Sequence, residues 1–318
     1  AKPSEITPYT ASLLGKIANE AGIPAGVLNI LHGTGPEIGN EMVAHPKIKA
    51  ISFTGGTATG QHIARVAAPM FKKLSLELGG KNPNIIMSDA DLEIAIPGVI
   101  DGMRYTRQGQ ACTAGSRVYI HEKIYDKVLE GAVDKLSKLK MGNALDETSD
   151  IGAIISEEQL KRTLYYMDIA KKNSSTEILH GGNQSKGGEY KDGFYYEPTL
   201  LSGLPVSSPV CQEEVFGPVA CAIPFKSFDE VIKSANDTQF GLSAVLWTKD
   251  LSRALQFVDE IEAGFVQVNQ CVAPRANVSY GGIKMSGLGK EYAFDSMMNH
   301  FTQSKTILIN RGKSNLDV

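Results

Sequence analysis

Short apolar segments of strand length alternate with helical segments along most of this 318-residue chain. After Thr7 and Pro8, apolar side chains recur at helical spacing between positions 13 and 21, and Gly22 ends that helix. Apolar runs and helical segments then follow one another repeatedly. Strands joined by helices pack as a parallel sheet with covered faces, so the alternation predicts an α/β fold with a mostly parallel sheet.

The individual elements can be placed from the same pattern. Strands are predicted at residues 27–31, 48–53, 85–87, 117–120, 220–224, 244–247 and 264–268. Helices are predicted through Met42, from about Thr57, from Asp91, and at residues 123–139, 157–172, 229–236 and 251–261. The composition of residues 180–188 is that of a surface loop.

Composition excludes several functional classes. The formal net charge is −3 and the chain has no basic run, which argues against a nucleic-acid partner and against electrostatic membrane binding. No apolar stretch reaches bilayer length and no signal peptide is visible. The four cysteines lack C-x-x-C spacing and the six histidines lack a ligand pattern, so no metal site is expected. An intracellular location is expected, with the cytoplasm favoured and organelle targeting left open.

One cysteine lies among small residues after a predicted helix. Residues 109–117 read GQACTAGSR, a setting that leaves room for a substrate beside the sulfur of Cys112. A cysteine attacks as the thiolate, so a nucleophile needs access and an environment that lowers its pKa. An ordinary buried cysteine is the alternative.

One carboxylate lies at an apolar strand end. Residues 76–83 read LELGGKNP, and Glu77 stands among the apolar residues of that segment. A desolvated glutamate has a raised pKa and becomes a usable general base near neutral pH. The alternative is a side chain that turns out to solvent.

These two segments closely resemble the two signatures of the aldehyde dehydrogenase superfamily, and the resemblance extends over essentially the whole chain. Four further motifs follow the family's order: KPSE at 2–5, FTGGTATG at 53–60, EEVFGP at 213–218 and YGGIKMSG at 280–287. The resemblance implies that Cys112 is the nucleophile and Glu77 the general base.

A coenzyme site is indicated by the residues and by the resemblance. Gly55 and Gly60 bracket a strand-to-helix turn at which backbone can approach a pyrophosphate. The carboxylate of Glu5 favours the ribose hydroxyls of NAD over the 2′-phosphate of NADP, and NADP is the alternative cofactor. The non-functional interpretation of Glu5 is a solvated acid at the start of a helix. The resemblance implies these cofactor contacts: Lys2, Glu5, Gly35, Gly55, Gly56, Thr59, Gln159, Glu214 and Phe216. Gly56 departs from the serine that many members have there.

The implied reaction is oxidation of an aldehyde to a carboxylic acid through a thioester on Cys112, with no metal. The resemblance places the loop with Cys271 along the substrate tunnel, and Tyr105 and Tyr280 are the aromatic candidates for its lining. Arg104 and Arg107 precede the nucleophile, either as a cationic mouth for an acidic aldehyde or as a solvent-facing pair. The rival hypothesis is a truncated or recruited, non-catalytic relative.

Three regions are expected from the resemblance: residues 1–79 as the remaining part of a Rossmann-like NAD-binding domain, 80–285 as an α/β catalytic domain, and 286–318 as a return helix with an oligomerisation strand. The sequence begins at Ala1, so we expect a fragment that lacks the family's upstream oxyanion-binding asparagine. Residues 305–310 form an apolar, β-branched run that would leave an unpaired edge. A homodimer or homotetramer with this strand at the interface is predicted, and folding back onto its own domain is the alternative.

Overall fold

The computed structural model describes residues 1–310, and helices and strands alternate through it. The helices are α1 Tyr9–Glu20, α2 Asn40–Ala44, α3 Thr57–Ala67, α4 Leu92–Met103, α5 Tyr125–Ser137, α6 Glu157–Lys172, α7 Pro209–Gln212, α8 Phe228–Asn236, α9 Leu251–Glu260 and α10 Phe294–Phe301. The strands are β1 Ala50–Thr54, β2 Lys73–Glu77, β3 Pro83–Ile86, β4 Arg117–His121, β5 Glu177–His180, β6 Thr199–Ser202, β7 Val219–Phe225, β8 Phe240–Gly241, β9 Ser243–Trp247, β10 Phe265–Val268, β11 Ile283–Lys284 and β12 Gly287–Leu288.

A seven-stranded sheet forms the centre of the molecule, in the order β10-β9-β3-β4-β7-β6-β5. Its strands are parallel except β5, which pairs antiparallel with β6. Consecutive side chains of a strand point to opposite faces, and two apolar clusters cover the sheet accordingly, one containing Ile85 and Tyr119 and the other Ile86 and Val118. The predicted α/β class with a mostly parallel sheet is confirmed.

A smaller sheet holds the strand that carries Glu77. β1 and β2 run parallel, and β12 pairs antiparallel with the other edge of β2. Glu77 therefore lies opposite Thr54 on one side and Gly287 on the other. Residues more than 200 positions apart in sequence thus meet at the end of β2.

The strand predicted at residues 27–31 is wrong. Backbone hydrogen bonds link this segment to Ala1, with Asn29 accepting from the amino terminus and the Leu31 N–H donating to the Ala1 carbonyl. Two such bonds are too few for a ladder, and Val27 is 70% exposed. The apolar run was mistaken for a buried strand because its composition does not reveal whether a neighbouring strand is present.

The predicted strand at residues 305–310 also differs from the structure. Residues 302–310 have neither helix nor strand, and Leu308 is 92% exposed. The segment therefore does not fold back into either sheet. A strand pattern near a chain end needs an edge to pair with, and pairing with a second subunit stays a prediction. The rest of the predicted C-terminal region, residues 311–318, lies outside the described residues.

Candidate active site

Cys112 follows a sharp turn of the backbone after α4. Arg104 ends the helix at φ 59°, and Gln108 and Gly109 are also left-handed, at φ 56° and 63°. A Cβ at Gly109 would lie 2.2 Å from the carbonyl oxygen of Gly217, so only glycine fits this crossing. Cys112 follows in a half-buried position.

Asn82 links the loop that carries Cys112 to the central sheet. Its Nδ2 donates to the carbonyl oxygens of Cys112 and Ala114, at 2.8 and 2.9 Å, and its Oδ1 accepts from the Ser243 N–H at 2.9 Å. A Cβ on Gly80 would lie 2.4 Å from the Cys112 carbonyl oxygen. The segment after Glu77 therefore touches the backbone of Cys112 directly. The sequence contained Asn82 within LELGGKNP, but no local signal separated it from its neighbours.

Glu77 is a buried carboxylate without a hydrogen-bond partner. The residue is 4% exposed, and neither carboxylate oxygen finds a donor among residues 1–310. Burial and the nearby charge of Glu291 together raise the pKa of Glu77 to about 7, against the opposing charge of Lys290. A carboxyl group with this pKa exchanges a proton readily near neutral pH.

Tyr280, far along the chain from Cys112, contacts its side chain. Its hydroxyl oxygen lies 3.7 Å from Cys112 Sγ. Burial raises the pKa of the Cys112 thiol, the carboxylates of Glu214 and Glu77 add to the increase, and the hydrogen bond from Tyr280 opposes it. The expectation of an environment that lowers this pKa is therefore wrong, because burial desolvates the sulfur and the charges of two carboxylates disfavour a thiolate.

The EEVFGP segment packs against the strand end that follows Glu77. The Gly80 N–H donates to Glu214 Oε1 at 3.0 Å, and burial raises the pKa of Glu214. Gln159 Nε2 donates to the carbonyl oxygens of Val215 and Phe216, at 3.0 and 2.8 Å. Gln159, predicted as a cofactor contact, thus holds the backbone of this segment in place.

The glycine turn before α3 is tied to the backbone of Glu77. The Gly55 N–H donates to the Glu77 carbonyl at 3.0 Å. A Cβ on Gly60 would lie 2.5 Å from Leu78, whereas open space surrounds the corresponding point on Gly56. Thr59 is exposed in the first turn of α3. The N-terminal end of this helix is therefore open for a ligand.

Lys2 contacts several of the residues near which the adenosine of the cofactor is predicted to bind. Its Nζ donates to the carbonyl oxygen of Gly33 at 2.9 Å and to Glu5 Oε2 at 3.4 Å. The Glu5 side chain is half exposed, and its backbone hydrogen bond, with Lys2, lowers its pKa. Gly35 begins the short turn Gly35–Gly39, whose last residue approaches the Lys2 stem.

The three predicted tunnel residues have different surroundings. Tyr105 is corrected to a core residue, because it is 1% exposed and its hydroxyl donates to the Thr199 carbonyl oxygen at 2.8 Å. Cys271 is half-buried, its thiol lies 3.6 Å from the Gly98 carbonyl oxygen, and burial raises its pKa to about 12. Of the three, Tyr280 contacts the Cys112 sulfur.

Arg104 is half-buried, so the solvent-facing alternative is wrong for it, and the cationic mouth stays a prediction. Its guanidinium donates to the carbonyl oxygens of Cys271 and Val272, at 3.4 and 3.2 Å, and so fastens the loop after β10. Arg107 is exposed.

Within residues 1–310, no cluster of three or more histidine, cysteine, aspartate or glutamate side chains is arranged to hold a metal ion. Over the same residues, no helix has both the length and the apolar character needed to cross a bilayer.

A family model and similar curated proteins all indicate the same family for this chain. The family model described as "Aldehyde dehydrogenase family" matches residues 1–307. A 2-aminomuconic semialdehyde dehydrogenase of Mus musculus is 39% identical over 311 residues, which are 97% of this chain and 63% of that protein. A betaine aldehyde dehydrogenase of Bacillus subtilis is 39% identical over 290 residues, 91% of this chain and 59% of that protein.

Solved structures agree with this result. The NAD+ complex of an aldehyde dehydrogenase from Bacillus cereus superimposes with a TM-score of 0.90 at 38% identity, over 94% of this chain and 60% of that one. The chain thus spans less than two thirds of the length of these relatives. With a family match over residues 1–307, the chain belongs to the aldehyde dehydrogenase family.

Proposed function

We propose that this chain supplies the catalytic machinery of an NAD-dependent oxidation of an aldehyde to a carboxylic acid. One observation carries the proposal: a buried, unpartnered Glu77 with a pKa of about 7 belongs to the same small site as the Cys112 sulfur. A nucleophile and a base in one pocket are what thioester chemistry needs. Nothing favours a recruited, non-catalytic role, since both groups are retained.

NAD is proposed as the cofactor because the chain's own residues fit it. The open N-terminal end of α3 beside Gly56 suits a pyrophosphate, and the half-exposed Glu5 suits ribose hydroxyls rather than a 2′-phosphate. Glu214 and Phe216 would hold the nicotinamide end. The Bacillus cereus structure that the chain resembles is an NAD+ complex. When bound, NAD supplies the acceptor for the hydride that the substrate must lose.

The residues then act in two stages. Cys112 Sγ adds to the aldehyde carbon, and its backbone N–H supports the oxygen that becomes charged. The oxidised carbon remains on sulfur as a thioester. Glu77 takes a proton from water, the water oxygen attacks the thioester carbon, and the carboxylic acid leaves while Cys112 regains its free sulfur.

The product test distinguishes this reaction from relatives that transfer the acyl group elsewhere. With NAD and an aldehyde, we expect NADH and carboxylic acid in equal amounts, measured by absorbance and by mass spectrometry. An acidic semialdehyde, a quaternary ammonium aldehyde and a neutral aldehyde should be compared, because relatives are named for the first two kinds. NADH without free acid, or acyl-coenzyme A as the product in place of free acid when coenzyme A is added, would reject hydrolysis.

We also propose that the protein is a homodimer or homotetramer, intracellular and in the cytoplasm. Ile307, Leu308 and Ile309 are 65%, 92% and 76% exposed, an apolar stretch suited to a partner's sheet edge. Deleting residues 304–318 is expected to lower the mass measured by light scattering to that of a smaller assembly. A matched change of these three residues to serine should act in the same direction, and an unchanged assembly in both variants would exclude this contact.

A further inference from the structure

We propose that Tyr280 is a catalytic residue whose hydroxyl donates to the Cys112 sulfur and stabilises the thiolate that attacks the substrate, a role that rests on the proposed function.

The contact is held firmly from the side of Tyr280. The hydroxyl oxygen lies 3.7 Å from Sγ, a hydrogen-bond distance for sulfur, and the residue is 6% exposed. Its ring packs edge to face on Phe265 and Tyr292, with centroids 5.4 and 5.6 Å away. Its backbone exchanges two hydrogen bonds with Glu291, at 3.1 and 2.7 Å. The phenol therefore has little freedom to turn away from the sulfur.

Charge explains why the sulfur needs this donor. The charged groups that influence Cys112 are Glu77 and Glu214, both of which disfavour a thiolate, and Lys290 acts on Glu77. The Tyr280 hydroxyl and the Cys112 backbone N–H favour it instead. Tyr280 itself is held protonated, since burial and the neighbouring Cys112 and Glu77 raise the pKa of its phenol. It therefore presents a neutral O–H rather than a third negative charge, and hydrogen bonds to a charged acceptor are the strong ones.

The test is the pH dependence of Cys112 alkylation by iodoacetamide, which follows the thiolate and needs neither NAD nor aldehyde. Tyr280→Phe removes only the hydroxyl. We expect the midpoint of the alkylation profile to rise by about one pH unit, and the rate below the midpoint to fall roughly tenfold. Tyr292→Phe is the matched control, because its ring packs on Tyr280, and its midpoint should equal that of the wild type. A purely structural role for Tyr280 would change the rate at every pH without moving the midpoint, and that result overturns the proposal.

A second variant keeps the ring in place. Site-specific replacement of Tyr280 by 3-fluorotyrosine gives a more acidic, stronger donor, so the midpoint should fall, opposite to the effect of Tyr280→Phe. A midpoint that stays constant in this variant contradicts the proposal even where Tyr280→Phe folds poorly.

The experiments distinguish failure of the proposed function from failure of the proposed role of Tyr280. A protein that lacks aldehyde turnover but whose alkylation midpoint still responds to changes at Tyr280 rejects the proposed function alone. Normal turnover with an alkylation midpoint that does not respond rejects the role of Tyr280 alone.

Discussion

Changing Cys112 to serine is expected to lower kcat/KM for aldehyde oxidation by roughly 10⁴- to 10⁶-fold, because the hydroxyl that remains is a far weaker nucleophile than a thiolate. In the wild-type protein, iodoacetamide should inactivate in proportion to labelling of Cys112. The reason lies in exposure and charge: Cys211 and Cys221 are 0% and 1% exposed, and burial raises the pKa of Cys271 to about 12. NADH formation and peptide mapping measure the two effects.

The other three cysteines provide the internal control for this prediction. Inactivation that follows labelling of Cys211, Cys221 or Cys271 while Cys112 stays unmodified would remove Cys112 from the mechanism. A serine variant that keeps turnover within tenfold of the wild type would do the same.

Changing Glu77 to glutamine should separate the two stages of the reaction. The thioester still forms, so one equivalent of NADH appears in a rapid burst, but its hydrolysis slows by roughly 10²- to 10⁴-fold without the base. Stopped-flow absorbance resolves the burst from the steady state.

The pH profile supplies a second signature of Glu77. A base works when deprotonated, so the wild-type steady-state rate should fall as the pH drops below about 7, the pKa of Glu77. The glutamine variant should lose this dependence. A burst and a steady rate that both match the wild type would show that another group activates water.

The local sequence marked Cys112 and Glu77 as candidates and the family resemblance implied their roles, but neither indicated what surrounds them. Cys112 and Glu77 stand out because each is chemically unusual for its segment, a thiol among small residues and an acid among leucines. The contact of Tyr280 with Cys112 spans 168 positions, and that of Asn82 with Ser243 spans 161. No periodicity carries such information, since it depends on how the two sheets and the connecting loops pack.

The helices and strands predicted from hydrophobic periodicity agree with the structure where the elements are long. They disagree where the elements are short or lie at the edge of a sheet. α6 was placed at its observed bounds, Glu157–Lys172, since a serine cap, two acids in the first turn and two lysines in the last turn mark it. β5 and β6 were not predicted, and they lie at one edge of the central sheet, where β5 pairs antiparallel with β6. Tyr105 was assigned to the tunnel because an aromatic beside a nucleophile looks the same in sequence whether it lines a channel or fills a core.

The distance in sequence between Cys112 and Tyr280 also means that the ribosome synthesises the two contacting residues at different times. Translation at about 5–20 residues per second separates their synthesis by roughly 10 to 30 seconds. During that interval Cys112 has been synthesised but Tyr280 has not. β2 also lacks its pairing partner β12, whose Gly287 lies opposite Glu77. If Tyr280 acts as proposed, Cys112 is synthesised before the donor that stabilises its thiolate, so we expect its full reactivity only after Tyr280 has been added to the chain.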